Sequence, residues 1–181
     1  MRKKVFIVLT ALVFLLTGCL SGGGVVSQHY ELENVMEDEA GNESHVYTAG
    51  NTSVPQAAAT IQEDSEPVEV SAEDEERMFL VYDDRTIQVM QDPENPGDSL
   101  VEVSEQEFVE NNYSPSMLET YAMFRIMSDL YNMGARTRDK QYEGYVGTNG
   151  NYHRDPSTRG SNRSGSVTSS GTRGGGFGFG K

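Results

Sequence analysis

Between residues 78 and 103 the side chains follow the pattern of a β meander, and this stretch limits the fold more than any other. Met78-Phe79-Leu80-Val81-Tyr82 is a continuous apolar run. Asp83-Asp84-Arg85 follows as a turn, and Thr86-Ile87-Gln88-Val89-Met90 then alternates polar and apolar residues at the period of a strand. Residues 91–98 hold Pro93, Pro96 and Gly97, the composition of a longer connection. Ser99-Leu100-Val101-Glu102-Val103 supplies a third strand, and the apolar rise at His45-Val46-Tyr47-Thr48 predicts another short one.

Helix signals flank these strands. Ser53 with Gln56 has capping-box spacing, and Val54, Ala57, Ala58 and Ile61 then recur on one helical face. Ser104-Glu105-Gln106-Glu107 is a second box, opening a brief helix that carries Phe108 and Val109 and stops at Asn111-Asn112-Tyr113. Pro115, with Ser116 and Glu119 spaced for a third box, opens the strongest helix, predicted over 116–133 and closed by Gly134. In its later turns Arg125, Ser128, Asp129 and Asn132 share one side, and apolar residues cover the remainder, an arc wide enough for burial against a sheet. Arg125 and Asp129 argue against a membrane span; the four methionines suit core packing, with an adaptable partner groove as the alternative reading. The expected fold class is α+β, a small antiparallel sheet of three to four strands packed with a C-terminal amphipathic helix.

The N-terminus reads as an address. Arg2, Lys3 and Lys4 precede an apolar run over residues 5–16, long enough for a secretory signal and short of the roughly 20 residues of a membrane-spanning helix. The run ends in Leu16-Thr17-Gly18-Cys19, the lipobox pattern of bacterial lipoproteins. In that chemistry the Cys19 thiol accepts a diacylglyceryl group, and cleavage between Gly18 and Cys19 leaves the lipid as the anchor. At about 0.8 kcal/mol per buried CH2, one acyl chain holds a protein marginally and two hold it durably. Cys19 is the only cysteine, so the chain forms no intrachain disulfide. The domain plan is a signal peptide over 1–18, a lipidated tether and acidic spacer over 19–43, a small α+β domain over 44–134, and a disordered Gly/Ser/Arg-rich tail over 135–181.

Charge is segregated along the chain. Residues 31–110 carry 23 acidic and 2 basic side chains, whereas 134–181 carry 8 basic and 3 acidic. The acidic body and the export signal argue against nucleic acid as a partner. The basic tail suits an anionic wall polymer, though it could equally lie along its own domain, and the alternative reading is a solvated end with no partner, since its charge density is modest. Its final Gly-x-Gly-x-Gly-Lys lacks the Ser or Thr and the helix that a phosphate-binding loop needs.

Searches for chemistry end without a constellation. His29, His45 and His153 share no local scaffold, and neither a nucleophile elbow nor a His-Glu-x-x-His helix is present. Asp92, Glu94 and Asp98 lack the regular spacing of a calcium loop and suit turn chemistry, as do Asp83 and Asp84; the acidic run over 63–76 reads as a solvated loop. The sequence therefore predicts no catalytic, cofactor-binding or metal-ligating residue; its predicted sites are lipidation at Cys19 and signal cleavage between Gly18 and Cys19. The lipobox at Cys19, Leu80-Val81-Tyr82, Glu94-Asn95-Pro96 leading to Leu100-Val101-Glu102-Val103, Phe108-Val109, Asn112-Tyr113 with Pro115, and Arg173-Gly174-Gly175-Gly176 before Gly180-Lys181 together resemble a family of uncharacterised Gram-positive lipoproteins classed as a domain of unknown function. The resemblance supports anchoring and domain limits, and it implies no known activity, substrate or site. The expected role is that of a lipid-anchored module on the extracytoplasmic face of the cell membrane, binding an envelope partner without catalysis; the alternative is an envelope hydrolase using dispersed carboxylates.

Overall fold

The computed structural model describes residues 22–131, 133 and 140–153. An open antiparallel sheet of six strands runs through them in the order β1-β2-β6-β5-β4-β3: β1 (Glu31–Glu37), β2 (Glu43–Ala49), β3 (Glu69–Val70), β4 (Arg77–Val81), β5 (Arg85–Gln91) and β6 (Ser99–Glu105). The meander predicted over 78–103 is β4, β5 and β6, with Leu80 opposite Ile87 and Ile87 opposite Val103. The strand predicted at 45–48 is β2, which pairs with β6.

Two strands go beyond the expected three or four. β1 lies in the stretch expected to be spacer, and its sequence ELENVME conceals it, because an edge strand buries little and tolerates charge. Only Met36 of its seven residues is buried. β3 is two residues long and sits within the acidic run, where no periodicity has room to show.

Alternation along the strands sends apolar side chains to both faces of the sheet, and both are covered. Tyr47, Leu80, Ile87, Val89, Val101 and Val103 form one core with α1 (Gly22–His29) and α2 (Val54–Asp64). Val54, Ala57, Ala58 and Ile61 are the buried residues of α2, on the face the spacing predicts, and Ser53 N donates to Gln56 Oε1 at 3.1 Å. Val46, Phe79, Val81, Met90 and Leu100 form the other core with α3 (Gln106–Asn112), α4 (Pro115–Thr120), α5 (Phe124–Tyr131) and residues 140–153. The sheet is thus sandwiched, where one packed helix was expected. Two segments assigned to loose ends belong to these layers: α1 and β1 lie within 19–43, and residues 140–153 lie within 135–181. The rest of the predicted tail, 135–139 and 154–181, and the signal peptide lie outside the described residues.

The helix expected over 116–133 is two helices. Its apolar residues span too wide an arc for one straight rod on one sheet, and a break gives each half its own buried face: Met117 and Leu118 on α4, Met127 and Tyr131 on α5. Met123 N donates to Leu118 O at 2.7 Å and Ala122 N to Glu119 O at 3.1 Å, the bond pair of a Schellman cap. The cap needs a left-handed residue, and Ala122 fills the place with φ 59°. The N-cap is Ser114, two residues before the predicted Ser116, with its hydroxyl 3.5 Å from Met117 N. Ser104, expected to cap α3, is a buried β6 residue instead, and Glu105 takes the cap position without a side-chain bond.

Two outcomes check this architecture by denaturant or thermal melts. Leu80 is fully buried between β3 and β5, and Leu80→Ala is expected to cost about 2 to 5 kcal/mol, lowering Tm. Ala122→Gly is expected to stabilise the fold by about 0.5 to 1 kcal/mol, because glycine adopts the left-handed cap without a Cβ clash. A continuous helix through residue 122 would give the opposite sign, a loss of about 1 kcal/mol.

Candidate functional site

On the face covered by α3, α4 and α5, the sheet carries a stripe of polar residues where a core would be apolar. Glu102 of β6 stands opposite Gln88 of β5 in register, and both have no exposed surface. Arg77 of β4, two residues before Phe79, which pairs with Gln88, is 4% exposed. Ser44 of β2 and Ser104 of β6 face each other at the next step, with their hydroxyls 2.8 Å apart. Isolated, a neutral polar group here would cost about 1 to 3 kcal/mol to bury, and a charge more.

Residues 140–153 are what they are buried under. This segment has no helix or strand of its own, and it crosses the sheet as a strap whose main chain is held by side chains of the stripe. Tyr145 N donates to Glu102 Oε2 at 2.8 Å. The Arg77 guanidinium donates to the carbonyls of Glu143 and Val146 and lies 5.8 Å from the Tyr121 ring centroid. Gln88 Nε2 donates to the same Glu143 carbonyl at 3.1 Å. An irregular segment at this depth leaves peptide groups without a ladder, and the stripe supplies donors and an acceptor for them. Close approach fixes the residue type at 144: Gly144 has φ +98°, and a Cβ there would come within 2.6 Å of the Gln88 amide. Further fastening comes from Ser114 N to Tyr142 O at 2.7 Å, from Tyr142 N to Asn112 O at 3.3 Å and from the Tyr152 hydroxyl to Asp92.

Around the Glu102 carboxyl, Ser44 Oγ donates to Oε1 at 2.9 Å, the Tyr142 hydroxyl at 2.8 Å and Ser104 Oγ at 3.3 Å. The Tyr113 hydroxyl is 3.0 Å from Ser104 Oγ. Burial raises the Glu102 pKa, and the donors from Tyr145, Tyr142 and Ser44 only partly offset it. Burial, reinforced by the Glu102 charge, pushes Tyr113 and Tyr142 well above the ordinary tyrosine value, so both remain neutral donors. The cluster can store a proton and bind a main chain. It offers no solute a path to Glu102 while the strap is seated, and its bonds are spent on the protein itself.

The residues singled out in the sequence fall elsewhere. Gly18 and Cys19 lie outside the described residues. Met117, Met123, Met127 and Met133 are buried in the core, as the packing reading has it. Asp92 accepts from Glu94 N at 2.9 Å and Asn95 Nδ2 at 3.2 Å and so shapes its turn, whereas Asp98 accepts from Asn51 N at 2.7 Å and ties this connection to the loop after β2. Asp84 pairs with Arg85 at 2.6 Å. His29 reaches Asp64 and His45 reaches Glu43, on separate parts of the surface, at 2.7 and 2.9 Å. Glu73, Asp74, Glu75 and Glu76 line an open surface depression, and no group of three or more His, Cys, Asp or Glu among the described residues is arranged to hold a metal ion. Sequence reasoning missed the stripe and the strap; the visible signals were Glu102 inside an otherwise apolar strand and Tyr142, Tyr145 and Tyr152 inside a Gly-rich stretch.

Glu102→Gln replaces one acceptor oxygen by an amide donor and leaves one mismatched group beside Tyr145 N–H or the hydroxyls, at a cost of about 1 to 3 kcal/mol. Because the folded pKa of Glu102 is raised, its contribution to stability is complete below the unfolded value, about 4.3, and is lost as the pH rises through the folded value. Glutamine does not titrate. The deficit of the variant, measured by urea melts, is therefore expected to shrink from pH 4 to pH 8; a deficit that widens would mean that folding favours the ionised carboxylate.

No curated protein and no solved structure matches the chain. A family model does, and it takes in the sheet, the stripe and the strap together. Matching over residues 12–179, it places the chain in the family described as a domain of unknown function, DUF4247.

Proposed function

We propose that this chain is a lipoprotein anchored through a diacylglyceryl group on Cys19 to the extracytoplasmic face of the cell membrane, where its α+β domain acts as a non-enzymatic binding module for another envelope protein. The observation that carries the reading is the placement of the lipobox directly ahead of packed structure. Cys19 is followed by α1 at Gly22, three residues on, a span of at most about 11 Å. Val25 and Val26 of α1 are buried, so the link between lipid and domain is short. No helix among the described residues is long and apolar enough to cross a membrane.

The enzymatic alternative asks for a deep, acid-lined cleft. The acidic depression at Glu73, Asp74, Glu75 and Glu76 is open, and the buried carboxylate of Glu102 is committed to the strap. Both observations favour binding over hydrolysis.

Fatty-acid labelling of the expressed chain tests the anchor. The parent chain is expected to carry label and sediment with membranes, while Cys19→Ala carries none and is either released or held with its signal uncleaved. Labelled, normally processed protein from the Cys19→Ala gene would overturn the reading.

A further inference from the structure

β1 ends the sheet, and among the described residues it pairs with β2 alone. The opposite end of the sheet is closed by a strand of two residues, so β1, with seven and a break in register between Leu32 and Asn34, presents the longer free edge. Leu32 and Val35 are 46% and 37% exposed along it, with Glu31, Glu33 and Glu37 between and beside them. An edge of this length presents a row of unpaired N–H and C=O groups and invites another extended segment. A second copy is disfavoured as that segment, since two such edges laid together would set glutamates against glutamates. The chemistry that fits is an extended basic peptide with few bulky side chains.

The end of the strap leads there. The Tyr142 hydroxyl is 3.3 Å from Met36 Sδ of β1, and Tyr152 packs on the same core. The His153 ring lies edge-on to that of Tyr142, with centroids 6.3 Å apart. His153 thus closes the described chain on the β1 side of the sheet, and residues 154–181 continue from that point. They carry Arg154, Arg159, Arg163, Arg173 and Lys181 against the single acid Asp155, on a Ser-, Thr- and Gly-rich sequence with no proline after Pro156. Seven extended residues cover about 23 Å, a length that this segment supplies several times over.

We propose that residues 157–173 of the same chain pair along the outer edge of β1, with their arginines against Glu31, Glu33 and Glu37. The segment adds a seventh strand, covers Leu32 and Val35, and spends its charge on its own domain instead of on an anionic wall polymer. The proposal stands whether or not Cys19 is acylated.

Hydrogen exchange on the full chain tests it, comparing the parent with a variant carrying Arg159→Glu, Arg163→Glu and Arg173→Glu, with β5 peptides as the control for an intact fold. At 0.1 M salt, the parent is expected to exchange amides of residues 31–37 about tenfold more slowly than the variant. In 1 M salt, where the Debye length falls from about 10 Å to about 3 Å, most of that difference is expected to vanish. Equal β1 exchange in both chains at low salt would overturn the proposal. So would β1 protection that disappears on dilution together with a dimer seen by light scattering, because the occupant would then be a second copy. A variant that loses retention on an anionic polymer while its β1 exchange stays at the parent value would likewise overturn it, assigning the arginines to an external partner.

Discussion

A carboxylate with no exposed surface has to be given hydrogen bonds, and how Glu102 obtains them organises this protein. Its neighbours on the sheet provide the Ser44 and Ser104 hydroxyls. The other donors, Tyr142 OH and Tyr145 N, come from a segment some 40 residues later that forms no regular structure. Arg77 and Gln88 complete the exchange by donating to carbonyls of that same segment. Each side would be costly to bury without the other. Polar side chains on a sheet face and a ladderless main chain are two problems with one joint solution, and neither half can be altered freely.

The same exchange explains why sequence reading reached some elements and not others. β4, β5, β6 and α2 were legible because their burial follows a single rule, apolar residues at the period of the element. β1 escaped because an edge strand needs few apolar residues, and its three glutamates resemble a spacer. The strap escaped because its stability comes from backbone groups meeting side chains remote in sequence, and nothing in a local window encodes that. Ser104 shows a subtler failure: its spacing to Glu107 is that of a cap, yet strand pairing with Ser44 claims it first. At Ala122 the chain breaks where alanine is among the best helix formers, because the two halves of the helix gain more by packing separately than the residue loses by turning left-handed. Of the candidate site, Glu102 was conspicuous as a charge among Leu100, Val101 and Val103, and Tyr142, Tyr145 and Tyr152 as bulky residues in a Gly-rich stretch.

The spacing at the N-terminus bears on how such a domain would meet a bilayer. On the proposed acylation of Cys19, three positions from α1, the domain would rest close to the headgroups instead of swinging on a long tether, and the layer formed by α1 and α2 would be the one nearest the lipid. A strongly acidic body close to an anionic surface is repelled over roughly a Debye length, about 8 Å at physiological salt, so divalent cations and ionic strength would influence how closely it lies. The opposite face, bearing α3, α4, α5 and the strap, would point outward.

The strap also imposes an order in time. A chain emerges from the ribosome, or through a translocation channel, N-terminus first, and Arg77, Gln88 and Glu102 are all delivered well before residues 140–153. Until those residues follow, the nascent sheet holds a bare guanidinium, an amide and a carboxylate on a face that is meant to be dry, so docking of α3, α4 and α5 alone leaves the interior unfinished. A product cut short between residues 106 and 139 would therefore carry every strand of the sheet and still lack what seals it, exposing polar groups and apolar surface together to proteolysis.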